Sequence, residues 1–515
     1  MLKRIWILAL VAVMTLSVFS GCGKEEKKEE KLADKKFDSF AVGFGKADIT
    51  PDPSLKIGIL GNNDHNSRLS EGVLEPLWVS CTAFTDTDNT TVLLFNADLH
   101  SIALKLLEQI RTEVVAKTGV PENHIQFTVT HSHTGPDTVS TASGPVQINN
   151  AMILEKCVQS AVAAMETRKS AKMYTTFTRP ENLLFHNHFL LKDGSYNGWR
   201  FEIDKSQVVG RMEAADNLLQ LVKFTREGEK DLIFVNWQAH VRHGMGQEYY
   251  NYLSGDLAAV MRRKLLEKAD CESVYIFTGC GDLTPETVIL KENTTENFYD
   301  YGELLADIII ENDEQFQAAE TGKIHYQRED FLLPFPNETK TYDICAFGFG
   351  DFAMVTIPWK PMQCDVMAVR ENSPYKMTFY TGVANNSGFA SYIPDQKKTT
   401  YPSYNKGPWF SPYGTAEAVE EELLRLLEQI FQESGQRKKE KDEGYIMDHS
   451  PKTDGITYVV DKNNSPKEVN NGHYQVSFKG FILLVQDKEL AQEIVKHDSV
   501  KLLFAENNMV VGICE

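Results

Sequence analysis

The stretch Ile125-Gln-Phe-Thr-Val-Thr-His-Ser-His-Thr-Gly-Pro136 sets two imidazoles two residues apart at the end of an apolar, β-branched run. Ile125 to Val129 predicts a strand, and Gly135-Pro136 predicts its stop, because that pair cannot continue a ladder. In extended backbone, residues i and i+2 point to the same side, so His131 and His133 are expected to aim at one point. Strand ends are where α/β proteins assemble their sites. Such a pair can bind a transition metal, or hold a metal with one ring and substrate with the other. It can equally be a hydrogen-bonding pair at a strand end.

Three further segments carry residues of the same kind. In Phe234-Val-Asn-Trp-Gln-Ala-His-Val-Arg-His243, His240 lies just past a second apolar run and His243 three residues on. In a helix the two would share a face; after a strand the expectation is a loop with one ligand, or a core histidine. In Tyr275-Ile-Phe-Thr-Gly-Cys-Gly-Asp-Leu-Thr-Pro285 the glycines let backbone approach a ligand, Asp282 is acidic and Thr284 offers a hydroxyl. Turn chemistry alone also explains those residues. Ala384-Asn-Asn-Ser-Gly-Phe-Ala-Ser-Tyr-Ile-Pro394 is a polar strand end that carries Tyr392.

Strands and helices alternate along the chain that positions these groups. Strands are expected over Phe40–Ile49, Trp78–Phe84, Thr91–Phe95, Leu218–Phe224, Leu232–Trp237, Ser273–Thr278, Cys345–Ile357 and Met377–Ala384. Helices are expected over Leu104–Lys117, Asn150–Thr167, Leu257–Lys268, Phe298–Asn312 and Gly414–Glu433. The class is α/β, with a large mixed β-sheet core flanked by helices. Gln436 to Asp442 is a charged run read as a linker (435–454). It leads to a small accessory α+β module (455–515).

The N-terminus reads as an address. Lys3 and Arg4 precede an apolar run, Ile5 to Phe19, with small residues behind it, the pattern of an export signal (1–21). Phe19-Ser20-Gly21-Cys22 resembles the lipobox of bacterial lipoproteins, which implies lipidation of Cys22, attachment to the cell membrane and an extracytoplasmic location. Residues 22–37, rich in Lys and Glu, are expected to form a disordered tether before a domain over 38–434. The net charge of −19 argues against a nucleic-acid partner. Seven other cysteines at irregular spacing read as singly placed buried thiols.

Taken in order, these motifs resemble the neutral/alkaline non-lysosomal ceramidase family. The likeness runs from Val42-Gly-Phe-Gly-Lys-Ala-Asp-Ile-Thr-Pro51 through Asn96-Ala-Asp-Leu99, Thr130 to Pro136, Asn187 to Gly194, Asn236 to His240, Ser254-Gly-Asp256 and Gly279 to Pro285, to Asn385–Pro394. It covers residues 40–433. The resemblance implies a zinc-dependent hydrolase of an N-acyl amide bond, with a lipid or other N-acyl small molecule as substrate. It implies His131, His240 and Tyr392 as zinc ligands, His133 beside the substrate, and Thr284 in contact with the scissile amide, with Asp282 nearby.

One position departs from that pattern. The family carries a carboxylate ligand in a Pro-Gly-Glu turn, and here the turn reads Pro358-Trp359-Lys360. An ammonium beside a zinc ion is repelled unless it turns away or is neutralised. Asp98, Asp282 or Asp365 could supply the missing charge, and Trp359 adds bulk at the expected mouth. Three functions fit: a hydrolase, a ceramidase-like lipoprotein that binds lipid or glycan without catalysis, or a hydrolase acting on an anionic substrate held by Lys360. Trp359, Lys360 and His243 are the expected substrate contacts.

Overall fold

Two sheets pack face to face between layers of helices. A computed structural model describes residues 31–514 apart from 62–67, 141–142, 192–195, 199–203, 212–213, 242–248, 280, 286–296, 335–337, 386–391, 394–413, 448–456, 469–472, 480 and 505–508. The main sheet comprises β1 (Ala41–Asp48), β2 (Trp78–Thr85), β3 (Thr91–Ala97), β4 (Ile125–Val129), β5 (Lys169–Thr178), β6 (Leu219–Arg226), β7 (Leu232–Trp237) and β8 (Glu272–Phe277). Their order is β8-β7-β6-β5-β1-β2-β3-β4, with β9 (Gln317–Ala319) beside β5. The second sheet is β10 (His325–Pro334), β11 (Thr339–Phe349), β12 (Phe352–Thr356) and β13 (Met377–Thr381), in chain order. The helices are α1 (Leu104–Thr118), α2 (Gly144–Glu166), α3 (Asp256–Ala269), α4 (Phe298–Glu311), α5 (Gln363–Asn372) and α6 (Thr415–Ser434).

Most strand neighbours are antiparallel, but β3–β4, β7–β8 and β12–β13 are parallel. A parallel pair needs a crossover, and α1, α3 and α5 supply one each. The three βαβ units are stitched together at their C-terminal edges. Asn236 Nδ2 donates to the carbonyls of Ile276 (3.0 Å) and Tyr380 (3.1 Å), and Thr381 Oγ1 to that of Phe277 (2.8 Å). Asn385 N donates to Phe127 O at 2.7 Å. Six strand exits thereby converge.

Strand alternation sorts the core. Leu93, Phe95 and Ala97 of β3 face the helices, whereas Val92 and Leu94 face the second sheet. The inter-sheet layer is rich in phenylalanine: Phe84 meets Phe234 at 5.8 Å and Phe349 at 5.4 Å between ring centroids. Helix α2 covers β1 and β2 with α1 packed against it, and α6 covers β10 and β11. Gly43 and Gly45 admit α2 against β1: a Cβ on Gly43 would lie 1.8 Å from Ala164 O, and one on Gly45 2.3 Å from Ser160 O.

Three expectations change. Cys345–Ile357 is two strands, β11 and β12, folded back at Gly350-Asp351, where Gly350 has φ +57°. The tether does not run free to residue 37. Leu32 and Ala33 pack against the core, the Leu32 carbonyl accepts from Arg168 Nη2, and the Arg168 guanidinium covers the Phe37 ring at 5.0 Å. These apolar side chains were hidden in a charged context. The linker is, up to residue 447, a strap bound to the domain. Tyr445 is buried, and its hydroxyl accepts from Gln220 Nε2 (3.0 Å) and Thr378 N (3.2 Å). Lys439 pairs with Asp351 at 2.7 Å, and Lys441 Nζ donates to Tyr375 O.

Beyond the strap, β14 (Thr457–Val459), β15 (Lys467–Glu468), β16 (Tyr474–Phe478), β17 (Phe481–Val485), β18 (Ser499–Phe504) and β19 (Val510–Ile513) form a six-stranded sheet with α7 (Lys488–Ile494). This sheet has its own apolar core, including Val476, Leu483, Ala491 and Leu502. Among the described residues no helix is long and apolar enough to cross a membrane.

Candidate metal centre

The histidine loop begins where β4 ends, at Val129. Gly135-Pro136 does not end that strand; it pairs with Ile59-Leu60 as a separate short ladder. His131 has φ +59°, the left-handed region that non-glycine residues seldom occupy. The simple extended alternation from which the two imidazoles were expected to aim at one point therefore does not apply, although their ligand nitrogens do lie within 4.8 Å of each other. The loop turns sharply at His131, and the two rings stand 5.0 Å apart, nearly perpendicular. Neighbouring exits hold the turn: His133 N donates to Val241 O (3.1 Å), Ser132 Oγ to Ser254 O (2.9 Å), and Arg68 Nη1 to His133 O (3.2 Å). Gly61, at φ +135°, lies so close that a Cβ there would be 2.6 Å from His133 Cα.

His100, three residues past β3, completes the group. Ligand nitrogens of His100, His131 and His133 all lie within 4.8 Å of one another, close enough to share an ion. The His100 and His131 rings are 4.1 Å apart. His131 Nδ1 donates to the His100 carbonyl at 2.7 Å, so its Nε2 carries the lone pair. That Nε2 is buried, with no hydrogen-bond partner among the described residues. Burial, with His100, Lys360 and His240 close by, holds His131 well below the usual histidine range, hence neutral. A neutral imidazole with an inward lone pair is the form a metal binds. Phe277, at the end of β8, stacks flat on His131 at 5.2 Å.

His240 borders this group. Its ring is 5.2 Å from that of His131 and 5.5 Å from that of His133. His243, expected beside it, lies outside the described residues.

Lys360, near enough to act on the charge of His131, lies against Tyr392. Residues Lys360-Pro361 pair in parallel with Tyr392-Ile393, and the Lys360 ammonium sits 4.0 Å from the centroid of the Tyr392 ring. This cation–π contact holds the charge that the sequence reading found hard to place. Gly281 makes room for the ring, since a Cβ there would be 2.5 Å from it. Trp359, expected at the mouth, is instead 1% exposed, packed 4.6 Å from Tyr342 and 5.8 Å from Phe331 between ring centroids. Successive residues face opposite ways here, so a buried Trp359 turns Lys360 to the site.

The carboxylates considered as substitutes each hold a main-chain N–H. Asp98 accepts from Trp78 N (2.8 Å) and pairs with Arg262. Asp282 accepts from Gln363 N (2.9 Å) at the start of α5 and faces His186 at 3.5 Å. Asp365 accepts from Met362 N at 3.0 Å. Asp282 thus ties the start of α5 to the loop that carries Thr284. Leu283-Thr284 pairs with Phe185-His186. Cys81, Cys157, Cys271 and Cys345 are buried thiols, and Cys514 is partly buried.

The sequence reading missed His100 and Phe277. A signal for His100 was present: Asn96-Ala-Asp-Leu99 was singled out, and the next residue is the histidine. Its relevance needed the parallel register that sets Ala97 opposite Val129.

Comparison with family models and with curated proteins gives no match. Among solved structures, the neutral ceramidase from Pseudomonas aeruginosa is similar at a TM-score of 0.60 and 13% identity, over 85% of this chain and 84% of that one. A ceramidase complexed with C2 is similar at 0.58 and 12%, over the same shares. The fold is that of the neutral ceramidases. At such identity the likeness reaches the fold alone. Within the ceramidase fold, this chain sets an imidazole cluster and a lysine at the C-terminal edge of its parallel strands.

Proposed function

We propose that the protein is an exported, lipid-anchored, metal-dependent hydrolase of an N-acyl amide bond. The observation that carries this reading is the His100–His131–His133 group, with a buried, neutral His131 whose Nε2 has no hydrogen-bond partner among the described residues. The donor set fits zinc, which takes imidazole nitrogen readily. Bound there with an open position, zinc would activate water and polarise the amide carbonyl.

The chain's own residues would do the rest. The His100 carbonyl keeps His131 in one tautomer. His240 stands beside the cluster, where it can hold or pass a proton to the leaving amine. Thr284 is carried by the segment that Asp282 ties to α5, and its hydroxyl would orient the amide. Phe277 closes one side of the cluster and limits water.

The test is metal analysis of the purified full chain together with release of fatty acid from N-acyl sphingosine. The reading expects about one zinc per chain, lost in His131→Ala, and metal-dependent release. Absence of any bound transition metal overturns the catalytic reading and leaves a lipid- or glycan-binding protein. For the anchor, Cys22→Ser is expected to move the protein from the membrane to the soluble fraction.

A further inference from the structure

The N-terminal segment meets the domain at the edge of the main sheet opposite the imidazoles. Lys31 and Ala33 sit against the end of α1: a Cβ on Gly119 would lie 3.0 Å from Lys31 Cδ and 3.4 Å from Ala33 Cβ. Asn89 Nδ2, in the turn between β2 and β3, donates to Ala33 O at 2.6 Å. Arg168, just past α2, donates to Leu32 O. These contacts lie at the edge where β3 and β4 begin.

Three elements measure the depth from there to the site. Helix α1 starts shortly after His100 and runs 15 residues to Thr118, about 22 Å at the helical rise. Strand β3 crosses the same depth in 7 residues, about 23 Å. Helix α2 runs the same way. Near its start Asn150 Nδ2 donates to Thr138 O at 2.9 Å, and the Thr138 hydroxyl donates to Ser101 O at 3.1 Å, beside His100. Its far end reaches Leu32 through Arg168.

The stretch from Cys22 to Lys31 spans at most about 30 Å, fully extended. Acyl chains on Cys22 would lie in the hydrocarbon, below a head-group layer roughly 5–7 Å deep. With the site turned to the bilayer, that layer and the length of α1 would together take about 28 Å. The segment would then be stretched almost straight along the flank of the domain, with nearly all its conformational freedom lost. With the Lys31 edge toward the bilayer, little of that reach is needed.

We propose that the anchored protein holds its site away from the membrane that carries it, and that its N-acyl substrate arrives from the far side, dissolved or in micelles, rather than embedded in the anchoring bilayer. The orientation rests on the anchor at Cys22, and turnover on the hydrolase reading.

Energy transfer to an acceptor lipid reads the orientation without turnover. The full lipidated chain in phosphatidylcholine vesicles carries a donor dye at Lys117→Cys, in the last turn of α1, or at Leu104→Cys, in its first; both positions are exposed, and the unsubstituted chain is the labelling blank. The donor at 104 is expected to stand about 20 Å farther from the acceptor plane than the donor at 117. Equal transfer from both, or stronger transfer from 104, overturns the proposal. Recovery of the parent in the soluble fraction overturns it too, by removing the anchor. A second arm compares fatty-acid release by the anchored chain and by Cys22→Ser. On N-acyl sphingosine in the same bilayer, a site that faced it would gain roughly 100-fold or more from being tethered. No gain is expected there, and equal rates are expected on micellar substrate; a gain of that size overturns the proposal. The expected transfer with no release from either substrate would leave the orientation standing and remove the hydrolase reading.

Discussion

The Nδ1–H of His131 donates to the main-chain carbonyl of His100 at 2.7 Å, and this bond decides which nitrogen of His131 looks into the cluster. His100 therefore acts through its backbone, as an orienting partner, and through its ring, as a member of the donor group. His100→Ala removes only the ring. Zinc affinity is expected to fall by more than the roughly 10- to 100-fold that follows loss of an orienting partner. Competition with a chromophoric chelator measures this, and a smaller fall would take His100 out of the ligand set.

His131 also makes a prediction about pH. Burial first, then the neighbouring His100, Lys360 and His240, put its folded pKa well below the ordinary value. In the unfolded chain the same residue titrates near 6.5. Between the two values the unfolded chain binds the extra proton, so the unfolding free energy falls as pH drops below about 6.5 and levels off only below the folded pKa. Above that window this contribution is complete. Urea midpoints of the metal-free protein should therefore lose less on acidification in His131→Asn than in the parent. Identical pH profiles would show that His131 is not held neutral.

The framework was legible wherever a local pattern forced it. Alternating apolar strands, amphipathic helices and Gly or Pro stops located β1 to β4, β6 to β8 and the helices between them. His131 and His240 were legible for the same reason, since each follows a strongly apolar run. What failed was what depends on pairing between distant segments. His100 matters only because β3 lies parallel to β4. Trp359 packs into the core instead of standing at the mouth because the segment that carries it is clamped between Gly281 and Val383. The strap escaped notice because Tyr445 is one buried ring in a run of lysines and glutamates, whose charges find carboxylates such as Asp351 only in the fold.

That strap meets a buried ion network whose loss should be costly. Asp216 is fully buried, bonded to Arg370 Nη2, to Arg179 Nη1 at 2.9 Å and to Gln238 Nε2 at 2.7 Å. Arg179 in turn donates to the carbonyls of Gly444 and Tyr445. Asp216→Ala leaves the buried Arg370 guanidinium without its carboxylate, at an expected cost of about 3–5 kcal/mol. The double variant Asp216→Ala/Arg370→Met should recover a large part of it, because no charge is then stranded. Urea denaturation reads both, and additive losses would rule out the coupling.

Gly281 offers a way to move Lys360 and Tyr392 without substituting either. A Cβ at this position would lie 2.5 Å from the Tyr392 ring, which must then shift, and the Lys360 ammonium rests on that ring at 4.0 Å. Overpacking of this kind costs about 1–3 kcal/mol. Gly281→Ala is therefore expected to lower stability by that amount and to leave zinc stoichiometry intact. Urea denaturation and metal analysis read the two, and an unchanged midpoint would mean that the Tyr392 ring does not occupy the space beside Gly281.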